Sequence, residues 1–218
     1  MKKGKLYPES KVELTPFLAR NYDMLLKMAS LGRYGSFLKK AIQAMELQSG
    51  MQVLDLGCGS GHNASFMLSY LGEEGRLVGI DISPEMEQQF RRRFMNDQRV
   101  SFVNQRIDVA FDLGQRFDVV FMSFVLHGFP HEVRATILEN VSRHLKPGGY
   151  FLLLDFAEFD MQAMPRLHHW IFTHVECVYA FDFVGRNWKE ILVEKGFGHT
   201  KETFYLKNYV RLLKAQKL

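Results

Sequence analysis

The sequence predicts an α/β protein with a doubly wound, mainly parallel sheet of about seven strands and helices on both faces. From residue 51 onward, short apolar runs alternate with amphipathic stretches, which is typical of strands joined by right-handed helical crossovers. Runs such as "FLLLDF" at 151–156 are almost wholly apolar, as expected of parallel strands buried on both faces. The end of the chain predicts an antiparallel hairpin, and the front predicts a helical cover.

The first two strand–helix units lie between residues 51 and 94. "MQVLDL" (51–56) is a short apolar run between two glycines and predicts a buried strand. "SGHNASFMLSYLG" (60–72) has apolar residues at helical spacing and a glycine that can end the helix. "RLVGIDI" (76–82) predicts the second strand. "SPEMEQQFRRRF" (83–94) predicts a helix capped by Ser83, with proline at its first position.

The middle of the chain continues the alternation. "VSFVNQ" (100–105) and "FDVVFMSFVL" (117–126) predict the third and fourth strands, and "HEVRATILENVSRHL" (131–145) predicts a helix with one apolar face. "KPGG" (146–149) has the composition of a turn. "YFLLLDF" (150–156) predicts the fifth strand.

The last part of the chain predicts a short helix and a hairpin. "NWKEILVEKGF" (187–197) reads as a helix that ends at Gly196. "HTKETFYLKNYVRLLKAQ" (199–216) predicts two strands that turn around Lys207 and Asn208. The stretch at 158–183, which precedes these elements, predicts helical additions to the sheet.

Composition and charge indicate a soluble globular chain in a reducing compartment. The 218 residues are 47% hydrophobic and 24% charged. Two cysteines, Cys58 and Cys177, are too few for a disulfide framework. No apolar signal stretch follows the basic first residues, and no run reaches the roughly 20 apolar residues that span a bilayer. We therefore expect a cytoplasmic protein, and its net charge of +4 permits an anionic partner without requiring one.

Three glycines occupy five positions directly after the first predicted strand, in "VLDLGCGSGHNASFML" (53–68). In an open α/β sheet, ligands bind beyond the carboxyl ends of the strands. Gly57 and Gly59 allow positive φ and let backbone N–H groups approach a ligand, and the following helix N-terminus favours negative groups. A loop of this kind can also be a tight strand-to-helix turn with no ligand.

Neighbouring residues narrow the class of ligand. Asp55, two residues before Gly57, can pair with a cationic ligand, whereas phosphate-binding loops avoid a carboxylate at this position. Asp81 ends the second predicted strand, where a carboxylate meets ribose hydroxyls. His62 stands where the dinucleotide fingerprint has its third glycine. This pattern disfavours NAD and favours a nucleoside with a positive charge, such as S-adenosylmethionine.

Four motifs in this order resemble those of the class I S-adenosylmethionine-dependent methyltransferases. They are "VLDLGCGSG" (53–61), "GIDIS" (79–83), "FDVVFMSFVLHGF" (117–129) and "HLKPGGYFLLLDF" (144–156). The resemblance covers roughly residues 51–200 and implies a Rossmann-like sheet.

Within that superfamily, the front of the chain is similar to one group. "NYDMLLKMASLGRYGSFLKKAI" (21–42) resembles the entry region of the ubiquinone/menaquinone C-methyltransferases, the methyltransferase type 11 group. The region after "LLLDF" departs from those enzymes and lacks their long signature before the final helix. The resemblance therefore leaves the acceptor undefined.

The resemblance implies that one set of residues surrounds the methionine end of S-adenosylmethionine. Backbone atoms of the glycine loop would line it, one carboxylate would reach the amino group, and an entry-helix tyrosine would close over it. These residues are Tyr22, Asp55, Gly57, Cys58, Gly59 and Ser123.

A second set would hold the nucleoside end. Asp81 would accept hydrogen bonds from the ribose hydroxyls, and Ile82 would pack on the adenine. Relatives hold the adenine amino group with an aspartate, but Arg106 stands at that position here. The resemblance leaves two substitutes, namely Asp108 or the backbone near Ile107.

These assignments predict one domain over 1–218. It comprises an N-terminal helical cover (1–48), a cofactor-binding core (51–156) and an acceptor-side helix with the final strands (157–218). The predicted function is methyl transfer from S-adenosylmethionine to a small acceptor, aromatic or lipid-like, by in-line displacement. The alternative is a protein that binds the cofactor without methylating.

His127, in "FVLHGF" after the fourth strand, is the candidate catalytic residue. An imidazole titrates near neutrality and could take a proton from the acceptor. The alternative is a histidine that shapes the pocket wall. Orientation alone can remove about 7–11 kcal/mol from such a barrier, so a base is needed only if the acceptor must lose a proton.

"LHHWIFTHVEC" (167–177) concentrates histidines with a glutamate and a cysteine. No spacing matches a zinc motif, so we expect no metal. We expect instead a lid helix whose Met164, Leu167, Ile171 and Val178 pack on the sheet while its histidines and aromatics wall the acceptor pocket. The alternative is plain helix packing with no part in the pocket.

The basic residues predict no nucleic-acid partner. The run Arg91 to Arg93 lies on a predicted helix without aromatic interleaving, and it reads as a solvated face. The lysine-rich front could touch an anionic membrane surface transiently or cover the cofactor. Stable membrane insertion is not expected, and the sequence does not define an oligomeric state.

Overall fold

A seven-stranded sheet organises this computed structural model, which describes Ser10 and residues 34–218. Its strands are β1 (Gln52–Leu56), β2 (Arg76–Asp81), β3 (Val100–Asn104), β4 (Phe117–Ser123), β5 (Leu145–Phe156), β6 (Phe197–Tyr205) and β7 (Val210–Lys217). Their order across the sheet is β3-β2-β1-β4-β5-β7-β6. The first five pair in parallel, and β7 runs antiparallel to both β5 and β6. The predicted doubly wound sheet with a terminal antiparallel hairpin is confirmed.

Helices cover both faces of the sheet. They are α1 (Tyr34–Gln43), α2 (His62–Leu71), α3 (Pro84–Arg93), α4 (His131–His144), α5 (Arg166–Val175), α6 (Val178–Val184) and α7 (Trp188–Glu194). Buried residues of α1, α2 and α3 join one apolar cluster, and those of α4, α6 and α7 join the other. The predicted N-terminal cover is described only from α1 onward, and Tyr22 lies outside the described residues.

The strand order reverses between β1 and β4. From β1 the chain continues through β2 to β3 on one side, and β4 then pairs with the opposite edge of β1. The carboxyl ends of β1 and β4 are therefore neighbours at the point where α/β sheets bind ligands. This reversal positions the site.

Two local predictions needed correction. The "KPGG" stretch is part of β5, which starts at Leu145 directly after α4 and carries a register shift opposite Phe117 and Val119. The fourth strand ends at Ser123, and a 3₁₀ turn follows at Leu126–Gly128. Phe124, at the strand end, has a φ of 52°, so the chain bends there rather than continuing as a strand.

The predicted packing of the lid segment is wrong for three residues. Leu167, Ile171 and Val178 are exposed, and Phe172 with Cys177 point into the core instead. The expectation assumed one helical register from 164 to 178. The chain leaves that register at 176–177, where both residues adopt extended backbone angles between α5 and α6.

Candidate active site

The glycine loop is held against the end of β2 by its own backbone. The N–H groups of Gly57 and Cys58 both donate to the carbonyl of Ile80, at 2.8 and 3.0 Å. Gly57 has a φ of 76°, and a Cβ there would lie 2.5 Å from Cγ2 of Val125. Only glycine lets this loop pass so close to the segment after β4.

The last glycine of the loop fits it to α3. Gly61 precedes α2 in a left-handed conformation, with φ 77°. A Cβ on it would lie 2.6 Å from the ring of Phe94 and 2.8 Å from that of Phe90. Glycine at position 61 therefore lets the start of α2 lie close against the rings of Phe90 and Phe94.

Asp55 is a buried carboxyl group without a hydrogen-bond partner. It lies one residue before the end of β1, and neither Oδ1 nor Oδ2 has a partner within the described chain. Burial and the nearby charge of Asp81 raise the pKa of Asp55 to about 8. A buried unsatisfied carboxyl costs free energy, so the site suits a ligand that brings a hydrogen-bond donor, above all a cation.

Asp81 is a carboxylate fixed by the backbone. Its Oδ2 accepts from the N–H of Gly59 at 3.0 Å, and its Oδ1 accepts from the N–H of Ser83 at 2.9 Å. Burial nevertheless raises its pKa, because it outweighs these hydrogen bonds. Each oxygen keeps a further lone pair. Ile82, next to it, is half-exposed and offers an apolar face beside the loop.

The residues predicted near an adenine are partly engaged within the chain. Both oxygens of Asp108 accept from the guanidinium of Arg106, at 3.0 and 2.5 Å. The carbonyl of Ile107 accepts from Nδ2 of Asn140 at 2.9 Å. The carboxylate of Asp108, one of the two predicted substitutes for the adenine-binding aspartate of relatives, is therefore already paired with Arg106.

His127 lies between two carboxylates. Its Nδ1 is 2.7 Å from Oδ1 of Asp155, and its backbone N–H donates to Oδ2 of the same residue at 3.3 Å. Its Nε2 is 3.6 Å from Oε2 of Glu176. Burial, the largest single influence, lowers the pKa of His127. The two carboxylates together outweigh it, so that the pKa is raised.

Sequence reasoning missed both partners of His127. Asp155 lies at the carboxyl end of β5, so the rule that selected Asp81 would have found it. Glu176 lies in the histidine-rich stretch 167–177, and its place opposite His127 depends on the break between α5 and α6. Across Ser10 and residues 34–218, no three His, Cys, Asp or Glu side chains come together as a metal site.

Arg134 fixes the turn that carries His127. It is buried, and it donates to the carbonyls of Leu126 and His127, each at 3.2 Å. It also donates to the carbonyl of Tyr179 at 2.6 Å and to Asp182 at 2.7 Å. One guanidinium thus ties the 3₁₀ turn and α4 to α6, which holds the imidazole in place.

Aromatic side chains line the same edge of the sheet, and we call this set the aromatic wall. Its members are Phe37, Phe124, Phe156, Phe159, Phe172, Tyr205 and Tyr209. Where two members contact each other, their ring centroids lie 5.0 to 6.4 Å apart. Phe156 also lies 5.0 Å from the ring of His127. The hydroxyl of Tyr205 is buried with no hydrogen-bond partner in the described part of the chain.

Residues 53–149 match a family model described as a methyltransferase domain. This match covers the glycine loop, Asp81 and the turn of His127, which are the parts of the site argued from the sequence. The chain is an S-adenosylmethionine-dependent methyltransferase, and it is similar to the class I enzymes. Its cofactor is S-adenosylmethionine, and the partnerless Asp55 with the fixed Asp81 fits a ligand that has an amino group and a ribose.

Curated relatives of this methyltransferase are named for quinone methylation. It is 29% identical over 161 residues to the demethylmenaquinone methyltransferase of Lactiplantibacillus plantarum, covering 72% of this chain and 67% of the relative. It is 32% identical over 154 residues to a ubiquinone/menaquinone biosynthesis C-methyltransferase of Hydrogenovibrio crunogenus, covering 69% and 60%. The alignments thus span about two thirds or less of these relatives.

Solved structures share the fold of the methyltransferase. A SAM-dependent methyltransferase from Aquifex aeolicus superposes with a TM-score of 0.67 at 20% identity, covering 94% of this chain and all of that one. The N-methyltransferase NodS from Bradyrhizobium japonicum, in complex with S-adenosyl-l-homocysteine, gives 0.58 at 16% identity over 84% and 85%. No helix of the described segments is long and apolar enough to span a membrane.

Proposed function

We propose that this methyltransferase methylates a small, flat, apolar acceptor that binds against the aromatic wall, with His127 as the proton acceptor. The observation that carries the proposal is the position of His127, between Asp155 and Glu176 and in contact with Phe156. Such an arrangement joins an apolar surface to a group that can take a proton.

The cofactor would be held by the residues at the ends of β1 and β2. Asp55 would pair with its amino group and Asp81 would accept from its ribose hydroxyls, because the first lacks a partner and the second has lone pairs free. Ile82 and the backbone at Ile107 would border the adenine. Asp108 would not contact it, because its carboxylate is hydrogen-bonded to Arg106. Cys58, Gly59 and Ser123 would line the methionine end.

The bound cofactor supplies a methyl group on a sulfonium sulfur, which is already a good leaving group. The chain has to orient the acceptor, exclude water and receive the proton that the acceptor loses. Asp155 keeps the Nδ1 proton of neutral His127 and so leaves Nε2 with a lone pair. Nε2 is the nitrogen that would accept the acceptor's proton.

The aromatic wall supports a ring-shaped acceptor. Aromatic side chains stack with flat apolar groups, and ligand pockets combine such walls with a few polar groups. The buried Tyr205 hydroxyl offers one of these polar groups, since it has no partner in the residues described. The names of the curated relatives point the same way, so a reduced quinone precursor is the acceptor we propose to test first.

An acceptor panel with methyl-labelled S-adenosylmethionine tests the proposal. It includes a demethylated naphthohydroquinone with a short apolar tail, a simple catechol, and a small polar amine. We expect label to enter the naphthohydroquinone, with one S-adenosylhomocysteine formed per methyl transferred. Labelling of the amine alone would overturn the proposed acceptor class. Cofactor binding without transfer to any member would also overturn the proposed acceptor class.

A further inference from the structure

Helix α5 carries an exposed apolar surface that the active site does not use. Leu167, Trp170, Ile171 and Val175 are 66%, 58%, 44% and 58% exposed. We call these four residues the α5 face. Val178, at the start of α6, is 51% exposed and extends it. Scattered apolar residues on a surface need no explanation, but a contiguous set on one helix does.

The four residues form one continuous arc of the helix. At 3.6 residues per turn they cover about 140° of its circumference, next to the inward side that holds Phe172. His174 falls within the arc, and its ring stacks on Trp170 with centroids 4.6 Å apart. Arg166 and Thr173 lie on the remaining side. The helix therefore has two apolar sides. One is buried against the protein, and the other is exposed to solvent.

The charges around the α5 face favour an anionic partner. Arg166 carries the only formal charge within α5, whose other ionisable residues are histidines. Three carboxylates of the adjoining segments lie beside cationic or titratable side chains, and a fourth, Asp160, caps the 3₁₀ turn before α5 by accepting from the N–H of Gln162. Glu158 binds the guanidinium of Arg211, Glu176 lies beside His127, and Asp182 binds Arg134. No carboxylate on α5 would repel an anionic surface.

We infer that the α5 face docks on an anionic lipid surface. Tryptophan and aliphatic residues next to a basic residue are the composition of helices that lie in the membrane interface. A second copy of the chain is a poorer fit. A 10-residue helix is only about 15 Å long. One face of it is far smaller than the about 800 Å² that a stable dimer needs from each partner.

The docking surface and the aromatic wall share one helix. Phe172, on the inward side of α5, packs against Phe156 and Phe159 with ring centroids 5.1 and 5.4 Å apart. Docking would therefore bring the wall within one helix diameter of the lipid. The inference goes beyond the proposed function, because lipid binding requires neither cofactor nor acceptor.

Tryptophan fluorescence of the full chain tests the inference directly. The sequence has two tryptophans; Trp188 is fully buried, and its indole N–H donates to the carbonyl of Phe183, so a lipid-dependent change reports Trp170. We expect a blue shift and co-sedimentation with vesicles of equal parts phosphatidylcholine and phosphatidylglycerol. Pure phosphatidylcholine vesicles should bind more weakly, and salt should weaken binding to the mixed vesicles.

Matched variants locate the surface. Leu167→Ser with Ile171→Ser keeps Trp170 as the probe and should weaken binding to the mixed vesicles roughly ten-fold or more. Val193→Ser removes an equally exposed side chain from α7, 60% exposed, and should bind as the wild type does. Absence of wild-type binding, or equal binding by the double variant, would overturn the inference. So would light scattering that shows a dimer dissociated by the double variant.

Discussion

Asp55 connects cofactor binding to pH. Its pKa of about 8 means that the free protein holds the carboxyl protonated at neutral pH. A cationic amino group requires the charged form, so binding of S-adenosylhomocysteine should release a proton. Affinity should rise with pH up to about 8. Calorimetry in two buffers of different ionisation enthalpy measures the proton. Asp55→Asn should abolish its release, and release that persists in this variant would contradict the assignment.

Asp81 should contribute to cofactor affinity. Asp81→Ala removes the acceptor for two hydroxyls, and hydrogen bonds to a charged group contribute about 1.5–3 kcal/mol. We expect affinity for S-adenosylhomocysteine to fall about ten-fold or more, measured by titration calorimetry. Glu74→Ala, which removes an exposed carboxylate after α2, is the control. Unchanged affinity in Asp81→Ala would mean that the ribose is held elsewhere.

Glu176 should set the pH at which His127 becomes a base. The carboxylates of Asp155 and Glu176 raise the pKa of His127, so turnover should increase as pH rises through that raised pKa. Glu176→Gln removes a negative charge that raises the pKa of His127, so the acidic limb of the pH–rate profile should move to lower pH. Glu194→Gln, on α7, should leave it in place. If His127→Asn retains the acidic limb, His127 is a wall residue and not the base.

The residues that sequence could predict are those whose role is decided locally. Gly57 and Asp81 follow from a strand end, a turn and the carboxyl-edge rule. The structure places them at the carboxyl ends of β1 and β2, and their roles toward the cofactor stay predictions. Glu176 could not be predicted because it reaches His127 from a helix junction 49 positions later, and nothing in the local pattern marks that junction. The pairing of Asp108 with Arg106 is a similar case, since the sequence showed the residues without their contact.

At Gly57, a side chain should be excluded by contact with Val125 as well as by the positive φ. Gly57→Ala introduces both a positive-φ alanine and a 2.5 Å approach to Val125. Together these should lower the free energy of unfolding by about 2–4 kcal/mol, measured by urea denaturation. Gly114→Ala is a matched control, with φ 68° and nothing within 4 Å of the added Cβ. Adding Val125→Ala should recover part of the loss. Equal effects at Gly57 and Gly114 would contradict the contact.

Helices were predictable where one face packs on the sheet throughout. The apolar positions of α2 and the Ser83 cap of α3 match the structure, because a single periodicity runs through each element. The predicted packing of the lid segment was wrong because the segment forms two short helices, α5 and α6, and not one. Periodicity alone cannot reveal a break at 176–177 when apolar residues occur on the outer side as well, as Leu167 and Ile171 do.

At the scale of the whole molecule, the order of strands and helices was sufficient to predict the sheet. Short connections and right-handed crossovers leave few ways to arrange alternating strands and helices, and the final hairpin can only join an edge of the parallel part. The acceptor side depends on contacts between distant segments, such as Phe37 of α1 against Tyr205 of β6. Those contacts require the assembled fold.

Titration calorimetry with S-adenosylmethionine, S-adenosylhomocysteine and NAD tests the central claim most directly. The site combines a partnerless carboxyl on β1, a fixed carboxylate on β2 and a loop without the third fingerprint glycine. We expect both sulfur nucleosides to bind one per chain and NAD not to bind. Binding of NAD, with no heat from either sulfur nucleoside, would contradict it.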